Sequence, residues 1–85
     1  MKAAALNRIS LTVHPGDNVA TLLDFEVEQR TTRDGLQLLG AVPFGHKVAR
    51  RAIARGEPVI KYGVAIGTAT ADIQPGEHVH VHNCR

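Results

Sequence analysis

Short apolar runs bounded by glycine and proline limit how this chain can fold more than any other feature of its sequence. The chain has 85 residues, and its eight glycines and four prolines mostly stand at the ends of such runs. Runs of this length suit strands better than long helices. The sequence therefore predicts a mainly β fold with one or two short helices, and the length fits one domain over residues 1–85.

Alternating or continuous apolar residues mark the predicted strands. They are expected at 6–13, 25–28, 36–42, 58–63, 66–71 and 78–82. Asp34-Gly35, which ends a polar stretch, is a hairpin dipeptide and predicts a turn between the second and third of these strands. The polar tip of this hairpin is interpreted as solvated.

Two segments have helical spacing instead. Residues 19–24 place apolar side chains on one helical face, with Asp17 or Asn18 as the N-cap. Residues 48–55 have an apolar stripe and a basic face, and Gly56 stands at the C-cap position. A solvated surface is the simplest interpretation of that basic face.

Three of the five histidines lie near the C-terminus. In a strand, His78, His80 and His82 would share one face, while Val79 and Val81 would anchor the other. Residues two apart are separated by roughly 6.6 Å and residues four apart by roughly 13 Å, so a metal about 2.1 Å from each imidazole can join neighbouring histidines only. Further ligands would have to come from elsewhere. An exposed, His-rich edge strand without a ligand remains an alternative.

Composition disfavours several functions. The formal charge is only +2, and one Tyr and two Phe offer no stacking platform for bases, so nucleic-acid binding is not expected. No apolar run can span a bilayer, and the apolar start is too short for a signal peptide. The single cysteine, Cys84, excludes an internal disulfide and suits the reducing cytoplasm. We therefore expect a cytoplasmic protein without a membrane partner.

Several ordered segments carry a resemblance to a known family. They are Pro-Gly-Asp-Asn-Val-Ala at 15–20, Gly-His-Lys-Val-Ala at 45–49, Gly-Glu at 56–57, Val-Ile-Lys-Tyr-Gly at 59–63, Ile-Gly at 66–67 and Gly-Glu-His-Val-His-Val-His-Asn at 76–83. With them the chain resembles the small N-terminal domain of the altronate dehydratase/galactarate dehydratase family. Arg50, Ala52 and Phe44 depart from the family pattern, while residues 69–73 are closer to its sugar-acid branch.

The resemblance implies a fold and a partner. The family's small domain looks like an SAF domain with a β-clip fold, and in the larger enzymes it precedes a catalytic domain that this sequence does not contain. In relatives such as the alpha subunit of (2R)-sulfolactate sulfo-lyase, the two parts are separate polypeptides. We therefore expect either a stand-alone small subunit or a domain expressed by itself. The implied partner is a large dehydratase catalytic subunit.

The implied reaction is dehydration of a hydroxylated sugar acid. It removes a proton next to a carboxylate and expels a β-hydroxyl, so a divalent metal, with Fe²⁺ or Mn²⁺ suspected, and a proton donor would both assist. His46, His80 and His82 are the candidates for catalysis and metal binding. The candidates for substrate binding are Asn18, Lys47, Lys61 and Asn83. Asp17 is a candidate acceptor that orients an imidazole, although it is equally well explained as a helix cap.

Three functional hypotheses remain open from sequence. The leading one is a small part of an altronate- or galactarate-type hydro-lyase that is inactive alone, because active sites of this kind are usually built between domains. The second is the alpha subunit of a sulfolactate sulfo-lyase, which would eliminate sulfite. The third is a non-catalytic module that binds a ligand or docks a partner. The isolated chain is also expected to form a homo-oligomer if it hides an apolar face.

Overall fold

The computed structural model describes residues 7–85, and in that range it contains six short strands and no helix. The strands are β1 Ser10–Leu11, β2 Val19–Leu22, β3 Lys47–Ala49, β4 Pro58–Lys61, β5 Val64–Thr68 and β6 His78–Val79. The prediction of a mainly β fold is confirmed, and the architecture is consistent with an SAF-like β-clip.

The strands form two antiparallel sheets. Four strands pair in the order β1-β2-β3-β6, and β4 pairs with β5 in a separate hairpin. The pair β3–β6 joins the middle of the chain to its C-terminal end, with Val48 opposite His78 and Lys47 opposite Val79. This register brings the two histidine-containing segments together.

The central pair β2–β3 separates two apolar clusters, so both of its faces are covered. The first cluster contains Val19, Ala49, Ile53, Val59, Ala69, Ile73 and Val79. The second contains Ala20, Leu22, Leu38, Val42 and Val48. Successive residues of β2 and β3 enter opposite clusters, as side chains of a strand must. The site described below is therefore attached to the most buried part of the fold.

The predicted helix at 19–24 is wrong, because its first four residues form β2. Every residue of β2 is buried. Both faces of the strand are therefore mainly apolar, and its sequence does not alternate between apolar and polar residues. A run of this kind cannot be assigned from periodicity alone. Pairing with β1 and β3 decides in favour of the strand.

The predicted helix at 48–55 is also wrong. Its first two residues complete β3, and Ile53 then exchanges both backbone hydrogen bonds with Ile73, at 2.9 and 2.7 Å. The backbone groups that a helix would have paired within itself are used between distant segments instead. Gly56, with φ of 89°, stands in a turn that leads into β4.

The predicted hairpin around Asp34-Gly35 is confirmed in its turn but not in its arms. Gly35 has φ of 94°, and its N–H donates to the carbonyl of Thr32 at 3.0 Å. The flanking residues make only an isolated bridge, Thr31 with Gln37, rather than two strands. The predicted first strand is likewise reduced to Ser10–Leu11, and its expected start at residue 6 lies outside the described residues.

A fully buried arginine ties the first segment to the loops. Arg8 donates from Nε to Oδ1 of Asp24 at 2.7 Å and from Nη1 to the carbonyl of Val42 at 2.8 Å. The Asp24 carboxylate also accepts the N–H of Ile9 at 2.7 Å. Charge and hydrogen bonds are thus matched on both partners, as burial of an ion pair requires.

The predicted strand at 58–63 is confirmed for Pro58–Lys61. Tyr62 and Gly63, with φ of 57° and 76°, then turn the chain into β5, so the predicted strand at 66–71 begins earlier and ends at Thr68. No helix among the described residues is long and apolar enough to cross a membrane.

Candidate functional site

His46, His78 and His80 converge at one end of the β3–β6 pair. One nitrogen from each imidazole lies within 4.8 Å of the other two. Nδ1 of His46 is 2.9 Å from Nε2 of His78, which is a hydrogen bond whose donor depends on the tautomers. The rings of His46 and His80 stack with their centroids 4.5 Å apart. We call these three residues the histidine cluster.

Strand register explains why these side chains meet. Val48 pairs with His78 and Lys47 with Val79, so one further step in the antiparallel register puts His46 opposite His80. Residues directly opposite in such a pair have Cβ atoms about 4.5–5.5 Å apart, and diagonal neighbours are also within reach of ring side chains. His46 is therefore the cross-strand neighbour of His80 and the diagonal neighbour of His78.

A turn fixes the entry of His46 into this register. Gly45 has φ of 81°, a conformation that favours glycine. Its N–H donates to the carbonyl of Leu22 at 2.7 Å, and the N–H of Leu22 donates to the carbonyl of His46 at 3.0 Å. The backbone of His46 is thus held by β2, while its ring lies beside the rings of His78 and His80.

The predicted histidine strand at 78–82 is shorter than expected. β6 ends at Val79, and residues 81–83 form a turn. Val79 is buried as predicted, but Val81 is 82% exposed and anchors nothing. Because the backbone bends after Val79, His80 stays near His78 while His82 leaves the strand direction.

The buried side chain of Asn83 stabilises this bend with hydrogen bonds. Its side chain is buried, with Oδ1 accepting the N–H of His80 at 2.9 Å. Its Nδ2 donates to the carbonyl of His78 at 2.9 Å and to Oε2 of Glu77 at 3.3 Å. The amide is therefore engaged with the backbone of two cluster histidines, so its role seen here is to position them. Its predicted contact with substrate stays a prediction.

Of the three histidines predicted from sequence, the structure brings His46 and His80 together. His82 lies beside His78, with ring centroids 5.6 Å apart, but among the described residues it does not belong to the three-nitrogen group. Sequence reasoning missed His78. The spacing of the C-terminal histidines allows a metal to join either His78 with His80 or His80 with His82. Only the position of His46 decides between these two pairs.

Burial and neighbouring cations keep His78 neutral. Its ring is half-buried, and burial together with the positive charges of His46, His80, His82 and Lys47 lowers its pKa below the usual 6.5. Loss of solvation disfavours the charged form of an imidazole, and like charges act in the same direction. At neutral pH His78 therefore offers an unprotonated nitrogen, which is the form that binds a metal.

Lys47 lies next to the histidine cluster in β3 and is half-buried. It borders a hollow of about 230 Å³ together with His80. The other lining residues are Ile66, Val81, Cys84 and Arg85. The predicted contact of Lys47 with substrate stays a prediction.

The other predicted residues lie at the opposite end of the β2–β3 ladder. His46 pairs with Leu22, whereas the carbonyl of Asn18 accepts the N–H of Arg50 at 2.8 Å. Four residues of strand separate the two ends, roughly 13 Å. The side chain of Asn18 bonds the carbonyl of Pro58 at 2.9 Å and the N–H of Ile60 at 2.7 Å, so it holds β4 in place. Its predicted contact with substrate stays a prediction.

Asp17 and Lys61 belong to that same distant end. The buried carboxylate of Asp17 accepts the N–H of Gly63 at 2.8 Å and of His14 at 3.2 Å. Burial alone would raise the pKa of Asp17, but these backbone hydrogen bonds lower it below its usual 3.8. Asp17 thus joins two turns rather than capping a helix. Lys61, half-buried in β4, lies over the ring of Tyr62 at 4.8 Å.

The histidine cluster fits a divalent metal by its donor atoms and spacing. Two nitrogens that each lie about 2.1 Å from one ion are at most about 4.2 Å apart. The observed limit of 4.8 Å is close to that value, so a small rotation of one ring suffices. Three imidazole nitrogens can bind several transition metals and leave coordination positions for water or substrate.

The fold and the cluster together define a small β domain with a three-histidine site at the edge of its sheet. A family model for the altronate/galactarate dehydratase SAF domain matches residues 8–85. The chain therefore belongs to the altronate/galactarate dehydratase SAF domain family.

Curated relatives agree with this membership. The chain is 43% identical over 82 residues to altronate dehydratase of Escherichia coli and 36% identical over 78 residues to that of Bacillus subtilis; each match covers 88% of this chain and 16% of the relative. It is 56% identical over 45 residues to the alpha subunit of (2R)-sulfolactate sulfo-lyase of Chromohalobacter salexigens, a match that covers 53% of this chain and 48% of that subunit. The chain thus matches half or less of each of these proteins.

Proposed function

We propose that this domain is the small part of a sugar-acid hydro-lyase and contributes the histidine cluster and Lys47 to an active site shared with a large catalytic polypeptide. The observation that carries the proposal is the convergence of His46, His78 and His80 in a chain whose family includes dehydratases. The hollow beside His80 has a volume of about 230 Å³, below the roughly 300–1,000 Å³ of typical small-molecule pockets, so it would not enclose a sugar acid by itself. A larger partner would close it, and we expect this to occur in the cytoplasm.

Within the shared site, the histidines would divide two tasks. His78, whose pKa is lowered by burial and neighbouring cations, stays neutral and accepts a proton or binds a metal. As the alternative to metal binding, His46, in hydrogen-bond contact with His78, and His80, stacked on His46, would exchange a proton with the leaving hydroxyl. Expulsion of a β-hydroxyl needs such a donor, because hydroxide is a poor leaving group.

Lys47 would bind the carboxylate of the substrate. Lys47 lines the same hollow as His80, and a carboxylate bound there would lie beside both residues. A cation that binds the carboxylate also makes the C–H group of the adjacent carbon more acidic. Loss of that proton leaves a negative charge, which the nearby cation stabilises.

A divalent metal, with Fe²⁺ or Mn²⁺ as the first candidates, would be held by His46, His78 and His80. When bound it would act as a Lewis acid toward the carboxylate and α-hydroxyl oxygens of the substrate. The remaining coordination would come from the substrate, water or the large polypeptide. His82, which lies beside His78, is a candidate for contact with the substrate at the edge of the histidine cluster.

Elimination of sulfite from sulfolactate is the second candidate function. It is favoured by the 56% identity over 45 residues to a sulfolactate sulfo-lyase alpha subunit. The chemistry of the first half-reaction is the same, since a proton next to a carboxylate is removed in both cases. Sulfite is the better leaving group, so this reaction would depend less on a proton donor.

An assay with three substrates tests the proposal. Altronate, galactarate and (2R)-sulfolactate are supplied with Fe²⁺ or Mn²⁺ to the chain alone and to its mixture with the large dehydratase-like polypeptide encoded nearest to it. We expect activity only in the mixture and on one class of substrate. Lack of activity on all three acids in the mixture would leave a binding or docking module as the function.

A further inference from the structure

Exposed apolar side chains lie beside His80, one residue of the histidine cluster. Ile66 and Val81 line the hollow beside His80 and are 45% and 82% exposed. Val64, 58% exposed, lies two residues before Ile66 in β5. We call Val64, Ile66 and Val81 the apolar rim. Apolar side chains gathered beside a polar site are typical of interaction surfaces rather than of free protein surface.

We propose that the apolar rim is the docking surface for the large catalytic polypeptide, whose contact surface carries an apolar side chain that fills the hollow and acidic groups that meet Lys47 and Arg85. This inference rests on the proposed function, because it names the place where the shared site is closed.

Geometry supports this position. His80 belongs to the histidine cluster and also lines the hollow that Ile66 and Val81 border. A polypeptide that supplies the missing parts of the site must approach His80 from its open side, and in doing so it covers the rim. The same surface would then bind the large polypeptide and form part of the active site.

Charge supports a different chain rather than a second copy as the occupant. Among residues 7–85, the lining of the hollow includes two cations, Lys47 and Arg85, and no acidic residue. A symmetric contact between two copies through this face would bring like charges together, which disfavours association. A partner with acidic groups around an apolar centre would be complementary.

Binding to the large dehydratase-like polypeptide encoded nearest to this chain tests the inference, measured by isothermal titration calorimetry. The test variants are Ile66→Ser and Val81→Ser. Leu11→Ser is the matched control, because Leu11 is 43% exposed and lies in β1, at the opposite edge of the four-stranded sheet from β6. Circular dichroism and the thermal midpoint establish that each variant is folded.

We expect the Kd to rise about tenfold or more in each rim variant, and to change less than twofold in Leu11→Ser. Equal effects in Leu11→Ser, or no effect in folded rim variants, would overturn the inference. So would a lack of binding by the unchanged chain, or self-association in sedimentation experiments that the rim variants abolish.

The same samples separate this inference from the proposed function. An active mixture whose Kd is insensitive to the rim substitutions would overturn the docking surface and leave the lyase function standing. Binding that depends on the apolar rim, without activity on altronate, galactarate or sulfolactate, would support the docking surface and overturn the lyase function.

Discussion

Nδ1 of His46 lies 2.9 Å from Nε2 of His78, although the two residues are separated by 32 positions in the sequence. The contact exists because β3 and β6 pair in an antiparallel register that makes these residues diagonal neighbours. It turns two separate histidine-containing segments into one site. The site lies at the edge of the four-stranded sheet, where a second polypeptide can reach it.

Metal binding should distinguish the histidine cluster from the neighbouring histidines. His46→Ala, His78→Ala and His80→Ala should each weaken binding of Mn²⁺ or Zn²⁺ at least tenfold, since even residues that only orient ligands cost 10–100-fold (order of magnitude) when removed. His14→Ala should have no effect, because His14 is exposed in a separate turn. Calorimetric titration of the folded variants measures this. An effect of His82→Ala as large as that of His78→Ala would contradict the three-residue assignment.

Replacement of Asn83 should both destabilise the domain and disorder the site. Asn83→Ala removes three hydrogen bonds to Glu77, His78 and His80 and leaves partly buried backbone groups unsatisfied. The free energy of unfolding should fall by about 1–3 kcal/mol, as measured by urea denaturation, and metal affinity should fall with it. Asn83→Asp keeps the acceptor for His80 but loses the donor, so an intermediate loss is expected. Unchanged metal affinity in a folded Asn83→Ala variant would contradict the positioning role.

Two glycines offer a matched test of backbone packing. Both Gly76 and Gly56 have positive φ, at 83° and 89°. A Cβ at Gly76 would collide with the carbonyl of Gln37, whereas one at Gly56 would meet nothing within 4 Å. Gly56→Ala should therefore cost only the left-handed conformation, about 1–2 kcal/mol. Gly76→Ala should cost clearly more in the same urea experiment, and equal losses would show that the chain can relax around residue 76.

Acid should weaken the tie between Arg8 and Asp24. Burial alone would raise the pKa of Asp24, but hydrogen bonds from the N–H groups of Ile9 and Glu26 and from Arg8 lower it below 3.8. The unfolded chain then binds the proton more readily, so this stabilisation is complete above about pH 5 and is lost as the pH falls through the folded-state pKa.

The comparison of the unchanged chain with Asp24→Asn isolates this effect. At pH 7 the variant should be less stable, because the carboxylate that pairs with buried Arg8 is gone. The difference in urea midpoint should shrink as the pH is lowered from 5 toward 2.5, because protonation of the native carboxyl removes the same negative charge that the substitution removes. A difference that stays constant over this range would contradict the assignment.

Much of the fold can be predicted from the sequence, and the two wrong helix predictions have one cause. Glycine and proline positions correctly indicated a β domain and the turn at Gly35, because those residues act locally. The segments 19–24 and 48–55 were assigned to helices because β2 and β3 are buried on both faces between two apolar clusters. Such strands lack alternation, and only their partners reveal them.

The site was accessible to the same degree. Spacing limits the C-terminal histidines to neighbouring pairs, and the structure places His46, one of the candidates from sequence, beside His78 and His80. The choice of His78 over His82 depends on the register of β3 with β6 and on the bend held by Asn83. Neither is a local property, so the sequence pattern could not supply it. The same holds for Asn18 and Asp17, whose side chains are used between turns and strands.

The turnover number of the assembled enzyme tests the central claim most directly. The chain is mixed with the large dehydratase-like polypeptide at saturating concentration, and kcat is compared for the unchanged chain, His46→Ala, His78→Ala and the control His14→Ala. We predict that kcat falls by about 10²-fold or more in the two cluster variants, in the range of lost proton-transfer catalysis, and is unchanged in the control. Equal kcat in all four proteins, with binding intact, would contradict a catalytic contribution from this domain.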